Sequence, residues 1–375
     1  MPGHDIIVIG ASAGGVEAVS ALAKAFPAEL DAAVFIVLHF PANGTSVLPA
    51  ILNRRGKLSA AHARDGESVG RGRIYVAPPD HHMLVRDGRI ELSKGPRENG
   101  ARPSIDPLFR SAARAYGPRV IGVILSGTLD DGTAGLALVK RRGGVAVVQS
   151  PEDALFPGMP LSAIENVAVD DVLPLAEMGS RLVELVKRPA PLLADRGDTE
   201  GDEMQESRDD PSRGPNDDTD ADGNKLWPGD AGGSGNGGGD LRRMQHHDRH
   251  SGQPSVFTCP ECHGTLWQVE ESELMRFRCR VGHAYSSETL LAEQGTSLEA
   301  ALWTALRALE ESAALARRLA QRASERGQRR TAERFAQQST ATETRASIVR
   351  NALLLKSAAD ASGGDTTATS SAVES

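Results

Sequence analysis

Asp5-Ile6-Ile7-Val8-Ile9-Gly10-Ala11-Ser12-Ala13-Gly14-Gly15-Val16-Glu17-Ala18 is the stretch from which the rest of the chain is read. Ile6 to Ile9 are β-branched and apolar without alternation, the pattern of a short strand over Asp5–Ile9 buried on both faces. The chain then breaks into Gly, Ala and Ser. Val16, Val19, Leu22 and Ala23 follow on one side of a predicted helix over Val16–Phe26. A buried strand that turns directly into a helix opens a parallel α/β sheet.

The alternation continues outward. Ala33–Leu38, Arg73–Ala77, Val120–Leu125 and Gly144–Val148 read as further buried strands. Pro107–Tyr116, Gly132–Arg142, Leu161–Asn166 and Leu175–Lys187 read as helices. His82–Val85 and Ile90–Leu92 flank Arg86-Asp87-Gly88-Arg89, and the Asp-Gly pair predicts a hairpin. The expected fold class is α/β, with a mainly parallel sheet covered by helices on both faces.

Three rim segments carry the chemistry. Gly10-Ala11-Ser12-Ala13-Gly14 fits G-x-S-x-G, in which a Ser on a tight strand-to-helix turn projects its hydroxyl above the sheet. A dinucleotide-binding turn is the competing reading. It wants Gly where Ser12 stands, and an acid where the second strand ends in Leu38-His39-Phe40-Pro41. His39, at the C-terminal end of that strand, falls on the same rim as Ser12. The third segment, Ser126-Gly127-Thr128-Leu129-Asp130-Asp131-Gly132, leaves the strand Val120–Leu125 and offers two adjacent acids. Ser, His and Asp on one rim would form a nucleophile, a base and the group that orients the base. Position along the chain does not choose between Asp130 and Asp131. His62, His81 and His82 read as exposed loop or hairpin residues.

Composition bounds the alternatives. The 375 residues carry 42 Lys+Arg and 50 Asp+Glu, for a net charge of −8. Twelve acids against three bases lie between Asp198 and Asp230, so the rest of the chain is close to neutral and no basic nucleic-acid surface is expected. No apolar run is long enough to insert in a membrane, and the start lacks a secretory signal, so the chain reads as soluble and cytoplasmic. The acidic block and the Gly-rich run Gly232–Gly239 predict a disordered linker over 190–255. The patch of His246, His247 and His250 reads as part of it. The expected domains are 1–189, catalytic; 256–290, a small Cys/His module; 291–357, a helical hairpin; and 358–375, a disordered tail.

All three cysteines fall in that module. Cys259, Cys262, Cys279 and His283 have the spacing C-x2-C-x16-C-x3-H, which predicts a zinc ribbon with a structural ion; His263 is a less apt ligand. Leu298, Leu302, Ala305, Leu309, Ser312, Ala316, Leu319 and Ala323 recur at spacings of four and three. They predict an amphipathic seam broken at Gly327 into two packed helices.

Four ordered motifs together resemble the catalytic domain of chemotaxis protein-glutamate methylesterases. They are Ile9-Gly10-Ala11-Ser12-Ala13-Gly14-Gly15-Val16-Glu17-Ala18, His39-Phe40-Pro41, Arg102-Pro103-Ser104-Ile105-Asp106, and Leu125-Ser126-Gly127 through Asp131-Gly132. The resemblance spans about residues 4 to 188 and implies a Rossmann-like three-layer sandwich. It implies Ser12 as nucleophile, His39 as base and Asp131 as third member; in the mechanism that then follows, the expected oxyanion donors are the backbone N–H groups of Ala13 and Thr128. It implies hydrolysis of glutamyl methyl esters on chemoreceptor helices, deamidation of receptor glutamines, and no cofactor for catalysis. Such chains usually open with a receiver domain. This one starts at the first catalytic strand, so switching by an aspartyl phosphate within the chain is not expected. The family pattern has Met-Gly where this chain has Thr128-Leu129. The alternative from another class is a signalling adaptor without catalysis, binding other signalling proteins through the zinc module.

Overall fold

The computed structural model describes residues 3–40, 44, 46–191, 252–271 and 274–362. The chain divides into two compact units, Met1–Leu290 and Leu291–Ser375. Nearly all of the predicted linker, with His246, His247 and His250, lies outside the described residues, as does most of the tail.

The first unit is built on a seven-stranded sheet, parallel at every pair. Its strands are β1 (Ile6–Ala11), β2 (Ala33–Leu38), β3 (Ser59–His62), β4 (Arg73–Val76), β7 (Val120–Ile124), β8 (Val145–Gln149) and β9 (Asp171–Leu173), in the order β3-β4-β2-β1-β7-β8-β9. One core layer packs Val8, Phe35, Ile124 and Val148 against helix α3 (Ile105–Tyr116) and against α4 (Thr133–Arg141) and α5 (Gly158–Asn166). The other packs Ile7, Ile9, Ile36 and Val123 against α1 (Gly15–Ala25), α2 (Leu48–Arg55) and α6 (Leu175–Lys187). The uninterrupted β-branched runs are buried because both faces of the sheet are covered. The expected α/β three-layer sandwich is therefore the observed one. The hairpin is also present, as β5 (His82–Arg86) paired antiparallel with β6 (Arg89–Ser93).

Two strands of this sheet, β3 and β9, and the helix α2 were not foreseen. β3 reads Ser-Ala-Ala-His and β9 has three residues, so neither edge strand carries a hydrophobic signature. His62 consequently ends a strand rather than lying in a loop, with its Nε2 3.2 Å from the Ser46 carbonyl oxygen. His82 is buried, 4% exposed, against the exposure expected for it. Its Nε2 contacts the Pro96 carbonyl at 3.0 Å, and its Nδ1 accepts from the Ser104 N–H at 3.3 Å. Burial lowers its pKa, so the neutral ring fits both contacts.

β1 is the switch point of the sheet. β2 lies on one side of it and β7 on the other, so both neighbouring loops open toward the loop after β1. The register sets Ala11 opposite Leu38 and Gly10 opposite Ile124, which brings the three strand ends level. Gly10 lies under α3: a Cβ there would sit 2.4 Å from Ile105 Cγ2. Gly10→Ala is expected to cost about 1–3 kcal/mol by overpacking. Urea unfolding at an unchanged m-value reads the loss, and an unaltered midpoint would contradict this packing.

The Cys/His segment forms a four-stranded antiparallel sheet of β10 (Gln253–Thr258), β11 (Thr265–Glu271), β12 (Leu274–Cys279) and β13 (Ala284–Ser286). It begins a few residues before the predicted boundary, because Gln253 and Pro254 already pair with β11. The second unit contains the expected hairpin of helices. α7 (Ser287–Glu325) begins before it, and α8 (Arg329–Ser362) runs past the predicted start of the tail. Gly327 joins them at φ 71°, a left-handed turn that suits a residue without Cβ. Half of the predicted seam is observed, since Leu302 and Leu309 pack against the hairpin core and Ala316 and Ala323 are buried. The positions between them are shifted by one residue, to Leu306 and Ala313 in place of Ala305 and Ser312, and Leu298 and Leu319 are exposed. Abundant Ala gives the helix several nearly equivalent apolar stripes, and packing selects one of them.

Candidate active site

Ser12 follows β1 directly, and its N–H donates to the Ser126 carbonyl across the switch point at 3.0 Å. This bond ties the serine turn to the third rim loop. Gly14, at φ 72°, reverses the chain before α1. His39 follows β2, held by its N–H on the Ala11 carbonyl at 3.3 Å. Its imidazole lies between the other two groups: Nδ1 is 3.1 Å from Ser12 Oγ, and Nε2 is 2.8 Å from Asp131 Oδ2. Of the two adjacent acids, Asp131 faces the histidine. Asp130 instead accepts from Ser286 Oγ at 2.7 Å and Thr289 Oγ1 at 2.9 Å.

Asp131 is almost sealed from water, 4% exposed at its side chain, while His39 keeps 22%. Besides His39 it accepts from Ser104 Oγ at 2.9 and 3.0 Å, the Ile105 N–H at 2.7 Å and Asn99 Nδ2 at 2.8 Å. Burial alone would raise its pKa. The His39 hydrogen bond and charge, the Ile105 N–H and the Asn99 amide outweigh it and hold the carboxyl below the usual range. The Asp131 carboxylate accepts from His39 Nε2–H, and the tautomer of the ring that makes this bond without a proton on Nδ1 offers Nδ1 as an acceptor to the serine hydroxyl. The ring is thus used in the opposite sense to the serine-protease arrangement, where Nε2 meets the serine.

Among the described residues no hydrogen bond is made by the Ala13 or Thr128 N–H. The loop holding Thr128 is pinned on both sides: Gly127 N–H donates to Phe156 O at 2.9 Å, and Ser126 N–H donates to Gln149 Oε1 at 3.0 Å. Leu129 adopts φ 61°, a left-handed conformation that costs a leucine about 1–2 kcal/mol. Glycine is the residue suited to this position. A Cβ on Gly127 would lie 2.9 Å from Ser12 Cβ, so the loop approaches the serine as closely as a backbone can.

A family-wide sequence profile for the CheB methylesterase matches residues 7–182. A Leptospira interrogans protein, given provisionally the name protein-glutamate methylesterase/protein-glutamine glutaminase, is 39% identical over 183 residues. That match covers 48% of this chain and 95% of the relative. The chain belongs to the CheB methylesterase family. The protein-glutamate methylesterase/protein-glutamine glutaminase 2 of Methanosarcina mazei is 38% identical over 192 residues, 49% of this chain and 52% of that protein. The chain thus matches about half the length of this relative. The crystal structure of the Thermotoga maritima CheB methylesterase catalytic domain is 34% identical and covers 48% of this chain and 98% of that one, at a TM-score of 0.47.

Asn99, Asp106 and Glu98 were missed as neighbours of the site. Ser104, Ile105 and Asp106 lie in the third of the motifs that carry the resemblance, but motif membership says nothing about what they hold. Asn99 has φ 51° and lies in a turn without periodicity, so only the left-handed tolerance of Asn could have hinted at it.

The four predicted metal ligands also come together. Sγ of Cys259, Cys262 and Cys279 and a ring nitrogen of His283 lie within 4.8 Å of one another. The Cys262–Cys279 Sγ separation is 3.5 Å, and His283 Nδ1 is 3.6 and 3.4 Å from Cys259 and Cys279. A tetrahedral ion at ordinary Zn–S and Zn–N lengths requires about 3.8 Å between sulfurs and about 3.5 Å between sulfur and nitrogen. The donor set therefore fits such an ion. His283 Nε2 is 3.2 Å from Glu261 Oε2, an outer partner that orients the ring. His263 is not in the cluster. Its left-handed φ of 59° and its N–H on Cys259 O at 2.9 Å make it part of the knuckle turn.

Proposed function

We propose that this chain is a serine hydrolase that removes methyl esters from glutamyl side chains of chemoreceptors, and that it also deamidates receptor glutamines. The observation that carries the reading is the His39 ring bridging Ser12 and Asp131. In the proposed mechanism Ser12 Oγ attacks the ester carbonyl carbon as its proton passes to His39 Nδ1. Asp131 stabilises the imidazolium through Nε2–H. The oxyanion is received by the N–H groups of Ala13 and Thr128, each such donor being worth about 3 kcal/mol of barrier. The tetrahedral intermediate collapses, methoxide takes the proton from His39 and leaves as methanol, and water attacks the glutamyl-serine ester by the same route. With glutamine the leaving group is ammonia. The activities named for the relatives support this substrate class. An adaptor without chemistry would leave the sealed, hydrogen-bonded aspartate beneath the histidine without a purpose. The direct test is methanol release from methyl-labelled receptor, with ammonia release from a glutamine-bearing receptor alongside. A chain that releases neither is not this enzyme.

Cys259, Cys262, Cys279 and His283 are proposed to hold one zinc ion. With four protein ligands the ion has no open position, so its role is to fold the ribbon. Among the described residues the ribbon's buried apolar core is small, built on Leu266, Phe277, Tyr285 and Leu290. We expect one zinc per chain, and loss of amide-exchange protection in β11 and β12 after chelation. Unchanged protection in the metal-free chain would contradict the assignment.

A further inference from the structure

The ribbon closes over the back of the proposed catalytic aspartate. Glu98 and Asp106 are buried carboxyls beneath Asp131, with side chains 6% and 1% exposed. Arg110, from α3, pairs with Glu98 at 2.7 Å. The second cation comes from the ribbon: Arg276, in β12 and 3% exposed, sets Nη1 2.5 Å from Asp106 Oδ2 and Nη2 3.4 Å from Glu98 Oε2. Asp106 Oδ2 also accepts from Asn99 Nδ2 at 3.1 Å, and the same Nδ2 donates to Asp131 Oδ1 at 2.8 Å. The other end of that amide is fixed by the ribbon as well, since Ser286 N–H donates to Asn99 Oδ1 at 3.0 Å. Main-chain bonds join the two parts: Asn99 N–H to Ala284 O at 2.8 Å and Ala284 N–H to Arg97 O at 3.2 Å.

An amide can present its NH2 to Asp131 only if its oxygen is satisfied elsewhere, and the Ser286 N–H does this. Three carboxyls packed together stay ionised only if cations neutralise them, and Arg110 is engaged by Glu98. We infer that Arg276 is a positioning residue for the esterase, and that the folded ribbon, through Arg276 and the Ser286 N–H, sets the orientation and charge of Asp131. The inference rests on the esterase reading above. The family match ends at residue 182, ahead of the ribbon, and assigns nothing to Arg276. Burial raises Asp106 to about 6 even with Arg276 in place, in keeping with the cost of this acid cluster.

The test uses the full chain with wild type, Arg276→Met and Arg276→Lys. Steady-state methanol release is measured together with the rate at which a fluorophosphonate labels Ser12, which reads serine activation without a receptor. In metal sites the loss of a group that orients a ligand commonly costs 10- to 100-fold, and an effect of that order is expected for a group that orients Asp131. Arg276→Met is expected to lose about that much in kcat and in labelling rate, with KM within about twofold. Arg276→Lys, which returns a cation beside Asp106, is expected to recover most of the loss. Arg276→Gln should match Met, and it carries the comparison if the Met variant is isolated without its folded ribbon. Wild-type labelling and kcat in Arg276→Met or Arg276→Gln would overturn the inference, as would a Lys variant as slow as they are. Failure of wild type itself to be labelled at Ser12 would instead remove the esterase reading.

Discussion

Ser12→Ala is expected to lower methanol release from methylated receptor by on the order of 10⁶-fold, the size of loss seen when a triad nucleophile is deleted. The change removes one oxygen from a half-buried side chain and keeps the Ser12 N–H bond to Ser126 O, which is a backbone contact. Unfolding free energy should stay within about 0.5 kcal/mol of wild type. Activity and stability are therefore separable in this variant. What remains of the rate comes from binding and the N–H groups of the rim, which act without the serine. Equal rates in wild type and Ser12→Ala would leave the geometry of the rim with no part in the reaction.

Asp131→Asn is expected to reduce kcat by about 10⁴-fold, as when an orienting aspartate becomes an amide and the histidine is driven into the wrong tautomer. An NH2 group facing His39 Nε2 would make that nitrogen an acceptor and move the ring proton to Nδ1, where it blocks proton transfer from Ser12. Turning the amide over does not help, because the other oxygen accepts from Asn99 and Ser104. Unlike Ser12→Ala, this variant should also lose stability, by about 1–3 kcal/mol, since donors aimed at a carboxylate are left facing donors. The pair of measurements distinguishes the two roles: Ser12→Ala loses rate alone, Asp131→Asn loses both. A stable Asp131→Asn chain with near-normal kcat would exclude the proposed role of Asp131.

The parts of the fold that carry the site were legible because parallel strands buried on both faces write themselves as continuous runs such as Ile6–Ile9 and Val34–Leu38. Their order along the chain also fixes which loops share a rim, so Ser12, His39 and the Asp130-Asp131 pair could be brought to one edge. The choice between the two acids came with the methylesterase motif, and the residues alone left it open. The edge strand β3 was illegible because Ser-Ala-Ala-His has no apolar alternation. His82 was misjudged because its burial depends on the 96–104 segment folding over it, a long-range event with no local mark. Asn99 and Arg276 were invisible for the same reason. One is a turn residue and the other an Arg in an ordinary antiparallel strand, and they meet the aspartate only once distant parts of the chain have docked. The hairpin seam was legible at every seventh position, Leu302, Leu309, Ala316 and Ala323, but between them an alanine-rich helix offers neighbouring apolar stripes, and packing chose Leu306 and Ala313.

Arg276 also imposes an order of events at birth. Ribosomes add about 5–20 residues each second, so several seconds separate the emergence of residue 191 from that of Arg276. During that interval Glu98, Asp106, Asp131 and Arg110 have emerged, but Arg276, the ribbon's cation beside Asp106, has not. The newborn chain reaches its final arrangement of charge only when its last third has been translated and folded back.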